Sequence, residues 1–202
     1  MYSKSATTIT DLLNSAQTLF LRKNYADLTM EDVAAEAGVT KSAIYYHFGS
    51  KESLYMAMML SFLQEMQDIF QTAIEIPGTC RERLRRLTEV FWELPREKRD
   101  IMKLVRRDIN TFKDPVRSQL IQAYQSALPE QIEIIMREGI QNGEWASSDP
   151  RLLSWLYVAN VEVILTPYAE HIFDNQDEML DFVIHLFFKG ADTPFNTVDS
   201  KG

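Results

Sequence analysis

The sequence predicts an all-α chain of nine helices. Three observations carry that prediction. Gly and Pro are scarce, seven of each in 202 residues, so few positions interrupt a helix. Apolar residues recur at spacings of three and four along most of the chain. No stretch shows the apolar–polar alternation of a strand.

The elements follow in order. The first helix is expected over 8–23, with Ile9, Leu12, Leu13, Ala16, Leu19 and Phe20 as its inward stripe. Thr29, with Asp32 three residues on, reads as a capping box that opens a second helix. Its Val33, Ala34 and Ala37 share one face. Gly38 supplies the left-handed conformation that ends it, Val39 fills the angle, and Thr40 caps a third helix. Steps of about 100° per residue gather Lys41, Ser42, Tyr45 and Tyr46 on one arc of that helix and turn Ala43 and Ile44 the other way. Gly49 turns the chain and Ser50 caps a fourth helix, expected over 51–74, with Tyr55, Met59, Phe62, Met66, Ile69 and Phe70 as its stripe. This helix is longer than a three-helix domain requires, so it is expected to connect two domains.

Thr79 caps a fifth helix reaching Leu94, and Pro95 opens a sixth ending near Asp108. Asp114 and Pro115 start a seventh that runs toward Asn142 with a kink at Pro129, and Gly143 stops it. Asp149 and Pro150 begin an eighth, kinked at its end by Pro167. The ninth is expected over 176–189, with Gly190 beyond it. These last two helices are apolar over more than one narrow stripe, which suits burial or an isologous interface between two copies.

Composition narrows the classes. The single cysteine, Cys80, excludes an internal disulfide framework and suits a reducing cytoplasm. No run of apolar residues is long enough for a membrane span, and the start MYSKSATT has no apolar signal region. A cytoplasmic chain with no membrane partner is expected. The net charge is -8. Residues 108–202 hold six Lys/Arg against fifteen Asp/Glu, whereas between Gly38 and Lys51 there is no acidic residue at all. A stretch without negative charge on a patterned pair of helices is what a phosphate-facing surface needs. The arc of hydroxyls, an ammonium and aromatic edges suits a helix placed in a DNA major groove. The N-terminus of the next helix, with Lys51 in its first turn, reads as a phosphate site.

The whole segment resembles the N-terminal domain of the TetR family of bacterial transcription regulators. The resemblance is carried by residues 16–20, Tyr25, residues 29–33, Ala37-Gly38-Val39, residues 42–48 (SAIYYHF), Lys51, Leu54 and Tyr55. It implies that Thr29, Tyr46, His47 and Lys51 hold phosphates, and that Lys41, Ser42 and Tyr45 lie nearest the bases. Thr40, as cap, completes the DNA-binding set. Asn24 stands where the family usually has Gly, and Asn tolerates the left-handed conformation. Residues 1–55 carry five Lys/Arg and six Asp/Glu, so non-specific affinity should be modest and salt-dependent.

The resemblance further implies a nine-helix TetR-like fold in three parts. Residues 1–55 form a DNA-binding helix-turn-helix domain, 56–191 an effector-binding and dimerisation domain, and 192–202 a disordered tail. The partners implied are a palindromic double-stranded DNA operator, a second copy of the chain, and a hydrophobic small-molecule effector that releases a repressor from its operator. Beyond Tyr55 only the stretch 137–145, REGIQNGEW, has the flavour of the family. The dimer interface is expected at Leu153, Leu156, Tyr157, Val161, Ile164, Leu180, Val183, Ile184 and Phe187. The effector pocket is expected to be lined by Phe62, Met66, Phe70, Phe91, Met102, Val105, Phe112, Tyr124 and Leu128, an apolar and aromatic set. Ten basic residues between Arg81 and Arg107 are either solvated helix faces or a site for the anionic head of an amphipathic effector such as a fatty acyl-CoA. The alternative effector is a hydrophobic drug or cation held by aromatic faces and carboxylates such as Glu133 and Glu162.

An enzyme is not expected. There is no nucleophile elbow, no phosphate-binding glycine loop and no His-Glu helix motif. His47, His171 and His185 are scattered, and His171 with Glu170 and Asp174 has poor spacing for a metal. No cofactor or metal is called for. A helical lipid carrier without DNA binding is the remaining class.

Overall fold

A computed structural model describes residues 9–145 and 148–191. Residues 1–8 and the expected tail at 192–202 lie outside the described residues. Among those described there is no strand, and no helix is long and apolar enough to cross a membrane. The α-helices among the described residues number eleven. They are α1 (Ile9–Arg22), α2 (Met30–Glu36), α3 (Lys41–Phe48), α4 (Lys51–Glu75), α5 (Cys80–Glu93), α6 (Arg96–Asp108), α7 (Val116–Ala127), α8 (Pro129–Gln141), α9 (Pro150–Ile164), α10 (Pro167–Glu170) and α11 (Gln176–Ala191). Two short 3-10 turns follow α1 and α6.

Eleven replace the nine expected because two prolines end helices rather than kink them. Pro129 takes the first position of α8, where its missing N–H costs nothing. Within a longer helix its ring would press on the carbonyl four residues back. Pro167 likewise begins α10, after Thr166 accepts a hydrogen bond from the Ala169 N–H at 3.4 Å.

The chain divides into two compact units, 1–66 with 94–124, and 67–93 with 125–202. Compactness thus divides the chain differently from the expected functional partition at residue 55, since α6 belongs with the N-terminal helices.

In the first unit Leu12, Ala16, Phe20, Val33, Ala34, Ile44, Leu54 and Tyr55 are buried. Their centre is aromatic. The Tyr55 ring meets Phe20 edge-on at 4.9 Å, Tyr25 at 5.3 Å and Phe112 at 5.1 Å. Phe112, expected in an effector pocket, packs here on Tyr25 and Tyr55. Tyr55 donates to Asp108 at 3.1 Å, and Arg107 holds the same carboxylate through Nε and Nη2, at 2.9 and 2.7 Å. Arg107 also donates to the carbonyls of Phe20 and Lys23, which α1 leaves unpaired at its end.

In the second unit α5 packs on α8 and α11, and α8 on α9. Thr88 and Tyr157 share a buried hydrogen bond at 2.6 Å. The Trp145 ring stacks on Phe188 at 4.8 Å and lies against Gly139, whose missing Cβ makes room for it. Most of the residues expected at the dimer interface lie in the core of this unit. Tyr157, Val161, Ile164, Leu180, Val183, Ile184 and Phe187 are buried within it, Leu153 is half-buried, and of the nine only Leu156 is exposed. The outward stripe of α9 is Leu152, Trp155, Leu156 and Val163, and that of α11 includes Phe182 and Leu186.

Candidate nucleic-acid interface

The interface is built from local signals. Thr29 caps α2 reciprocally with Asp32. The Asp32 N–H donates to the Thr29 hydroxyl oxygen at 3.1 Å, and the Thr29 N–H donates back to the carboxylate at 2.9 Å. Those hydrogen bonds hold the Asp32 carboxyl below its usual range. At the other end Gly38 has φ +66°. The Gly38 and Val39 N–H groups donate to the carbonyls of Ala35 and Ala34 at 3.2 and 2.9 Å, closing a Schellman turn. Thr40 then caps α3, accepting from the Ala43 N–H at 3.2 Å. Ile44 is fully buried and anchors α3, and Gly49 at φ +70° ends it.

What α3 turns outward is the candidate DNA-reading face. Tyr46 is 86% exposed, and Tyr45, Ser42 and His47 are exposed beside it. The hydroxyl of Thr40 uses a lone pair for its cap and keeps its proton, so it remains a donor. These five side chains offer donors and aromatic edges with no protein hydrogen-bond acceptor fixed to them among the described residues.

Three expected contacts are placed differently. Thr29 donates from both its N–H and its hydroxyl to Asp32, so a phosphate there would have to displace a carboxylate. Lys51 turns inward: its ammonium donates to the carbonyls of Tyr25 and Leu28, each at 2.8 Å, and sits 4.4 Å from the Tyr25 ring centroid. It thereby fastens the connection between α1 and α2. The physical reason is that this connection leaves two carbonyls without helical partners. Lys41 lies over the Tyr45 ring at 5.5 Å and pairs with Glu31 of α2. The pair raises the Lys41 pKa and lowers that of Glu31. The 38–51 stretch contains no acid in sequence, but folding brings Glu31 to it. Capping and periodicity carry no signal for that neighbour. Both partners are exposed, so the pair is weak and a phosphate can compete for the ammonium.

The residues expected around an effector are buried, except the half-buried Tyr124. Phe62, Met66, Met102, Val105, Phe112 and Tyr124 belong to the first unit, and Phe70, Phe91 and Leu128 to the second. The basic run does not form one cluster. On α5, Arg83 pairs with Glu138, Arg85 with Glu89 and Asp181, and Arg86 donates to the Ile76 carbonyl at 2.9 Å, all within the second unit. The α6 members belong to the first unit, where Lys98 pairs with Glu65 and Arg107 with Asp108.

Comparison with known proteins agrees with this arrangement. The family described as bacterial regulatory proteins, tetR family, matches residues 12–58. The transcriptional activator FasR of Mycolicibacterium smegmatis is 32% identical over 82 residues, 41% of this chain and 37% of its own length. The chain therefore aligns with well under half the length of that curated relative. Among solved structures, FadR of Bacillus subtilis in complex with stearoyl-CoA has a TM-score of 0.76 at 17% identity, covering 91% of this chain and 99% of that one. AibR in complex with isovaleryl coenzyme A and operator DNA has a TM-score of 0.73 at 19% identity, covering 89% and 97%. At these identities the two structures establish the fold. By sequence, residues 12–58 thus belong to the tetR family of bacterial regulatory proteins, and the full helical fold is the one matched by structure.

Proposed function

We propose that this chain is a ligand-responsive transcriptional repressor that binds a palindromic operator as a homodimer and is released by a hydrophobic small molecule. The observation that carries this reading is the outward face of α3. Thr40, Ser42, Tyr45, Tyr46 and His47 are presented together on a helix capped at its start, stopped by a left-handed glycine and anchored by buried Ile44. Lys41 joins them when phosphate replaces Glu31. Thr29 and Lys51 then act by holding α2 and the α1–α2 connection in place.

Dimerisation uses the exposed apolar stripe of α9 and α11, whose Trp155, Leu156, Phe182 and Leu186 would otherwise remain in water. Two recognition helices about 34 Å apart then read successive major grooves. The effector is an amphipathic anion of the acyl-CoA class. FadR and AibR, which share the fold, are each complexed with an acyl-CoA. Its release of DNA requires that it favour a spacing of the two recognition helices that the operator does not match, a coupling of about 1–3 kcal/mol.

Two measurements test the reading. Lys41→Ala combined with Tyr45→Ala should abolish operator binding in fluorescence anisotropy while circular dichroism and the dimer mass stay unchanged; intact binding refutes the DNA-reading role. Calorimetry with a long-chain acyl-CoA should show micromolar binding that lowers operator affinity, and absence of binding refutes the effector class alone.

A further inference from the structure

The first unit holds a cleft of about 720 Å³ between α1 and α6 that the DNA-reading face does not use. Ten of its thirteen lining residues are polar or charged, and their aliphatic stems leave much of its wall apolar. Asn14, Gln17 and Thr18 of α1 face it, and its apolar residues are Leu21, Pro95 and Leu104. Its cations are Arg22, Arg96, Lys98, Lys103 and Arg107, and its carboxylates are Glu97 and Asp100. Lys98 and Arg107 are already neutralised by Glu65 and Asp108. The remaining balance is three cations against two carboxylates, in a chain whose net charge is -8.

The distribution of partners matters more than the sum. Asp100 alone serves two cations, Arg96 at 3.9 Å and Lys103 at 2.6 Å. Both pairs are exposed and weak, so either cation turns to an incoming anion at little cost. Arg22 makes no ion pair or hydrogen bond among the described residues, and its guanidinium is a ready bidentate donor. Arg107, paired with Asp108, lines the cleft from a position fixed by that pair and by the end of α1.

We propose that this cleft is a binding site for a small hydrophilic anion bearing phosphate groups, held by Arg22, Arg96 and Lys103. The volume lies in the range of ligand sites, and two or more negative charges match the available cations. None of its lining residues is one of the apolar and aromatic residues expected around the hydrophobic effector, and the proposal does not depend on that effector. An anion beside Arg107 also reaches the side chain that caps the last carbonyls of α1, the helix that supports α2.

The test is calorimetry of the full chain with inorganic pyrophosphate at low salt. The wild type should give saturable binding of one pyrophosphate per chain in the submillimolar range. Arg22→Ala with Lys103→Ala should weaken it by about tenfold or more, with the melting temperature showing that both proteins are folded. Arg81→Ala, in the other unit, should leave it unchanged. No saturable binding at millimolar pyrophosphate overturns the proposal. Equal weakening by Arg81→Ala overturns it as well, since binding would then follow overall charge. Loss of operator affinity in the double variant without any pyrophosphate binding overturns it in favour of a DNA-backbone contact.

Discussion

Replacing Arg107 by Ala should cost more stability than replacing Tyr55 by Phe, although Tyr55 is the more buried side chain. Asp108 is 4% exposed and receives three hydrogen bonds, two from Arg107 at 2.9 and 2.7 Å and one from Tyr55 at 3.1 Å. Arg107→Ala leaves a buried carboxylate without its countercharge and also uncaps the Phe20 and Lys23 carbonyls. Breaking a buried pair costs about 3–5 kcal/mol. The Arg107 side chain is about one-third exposed, so solvent screening places the value near 3 kcal/mol. Tyr55→Phe removes one hydrogen bond to a charged group and keeps the ring, a loss of about 1.5 kcal/mol. For a chain of this length these correspond to roughly 6–12 °C and 3–6 °C in melting temperature. Urea unfolding followed by circular dichroism measures both, and the double variant should lose less than the sum, because the groups share one carboxylate. Burial and then the Asp108 charge raise the Tyr55 pKa. Its stabilising term is therefore full below the ordinary tyrosine value of about 10 and is lost as pH rises above it. Tyr55→Phe should accordingly flatten the alkaline loss of stability. An Arg107→Ala variant no less stable than Tyr55→Phe would refute the network.

Three further outcomes follow from named contacts. Gly139→Ala would drive a methyl group into the Trp145 ring and should destabilise the chain by about 1–3 kcal/mol in urea; unchanged stability would show that the ring does not rest there. Cys80 is 2% exposed, and burial, followed by the Glu144 charge, pushes its thiol up to about 12. The folded chain should be inert to a thiol reagent at pH 8 and react fully once unfolded, with its contribution to stability lost from about pH 9 upward; rapid reaction of the folded chain contradicts this. Glu31→Gln should free Lys41 and raise DNA affinity by about two- to fivefold at low salt, with a steeper salt dependence; unchanged affinity would mean that Lys41 does not reach phosphate.

Local chemistry was legible in the sequence and long-range pairing was not. Thr29 with Asp32, Gly38 and Thr40 act within four residues of themselves, so the ends of α2 and α3 follow from spacing alone. Lys51 answers to carbonyls 26 and 23 residues away, and its position in a first turn gave only its proximity to a helix N-terminus. Glu31 neutralises Lys41 from another helix for the same reason. On α9 both faces are apolar, so periodicity gives the helix but not its phase, and it does not separate the inner residues from the outer ones. The basic run 81–107 is continuous in sequence, yet the turn at Leu94 and Pro95 divides it between two units.

The most direct test of the account is selection of bound duplexes from a random-sequence library by the full chain, read out by sequencing. The account predicts enrichment of an inverted repeat whose half-sites lie about one helical turn, or a multiple of it, apart, with enrichment lost in the Lys41→Ala, Tyr45→Ala variant. Enrichment of no sequence, or of the same repeat by that variant, would contradict it.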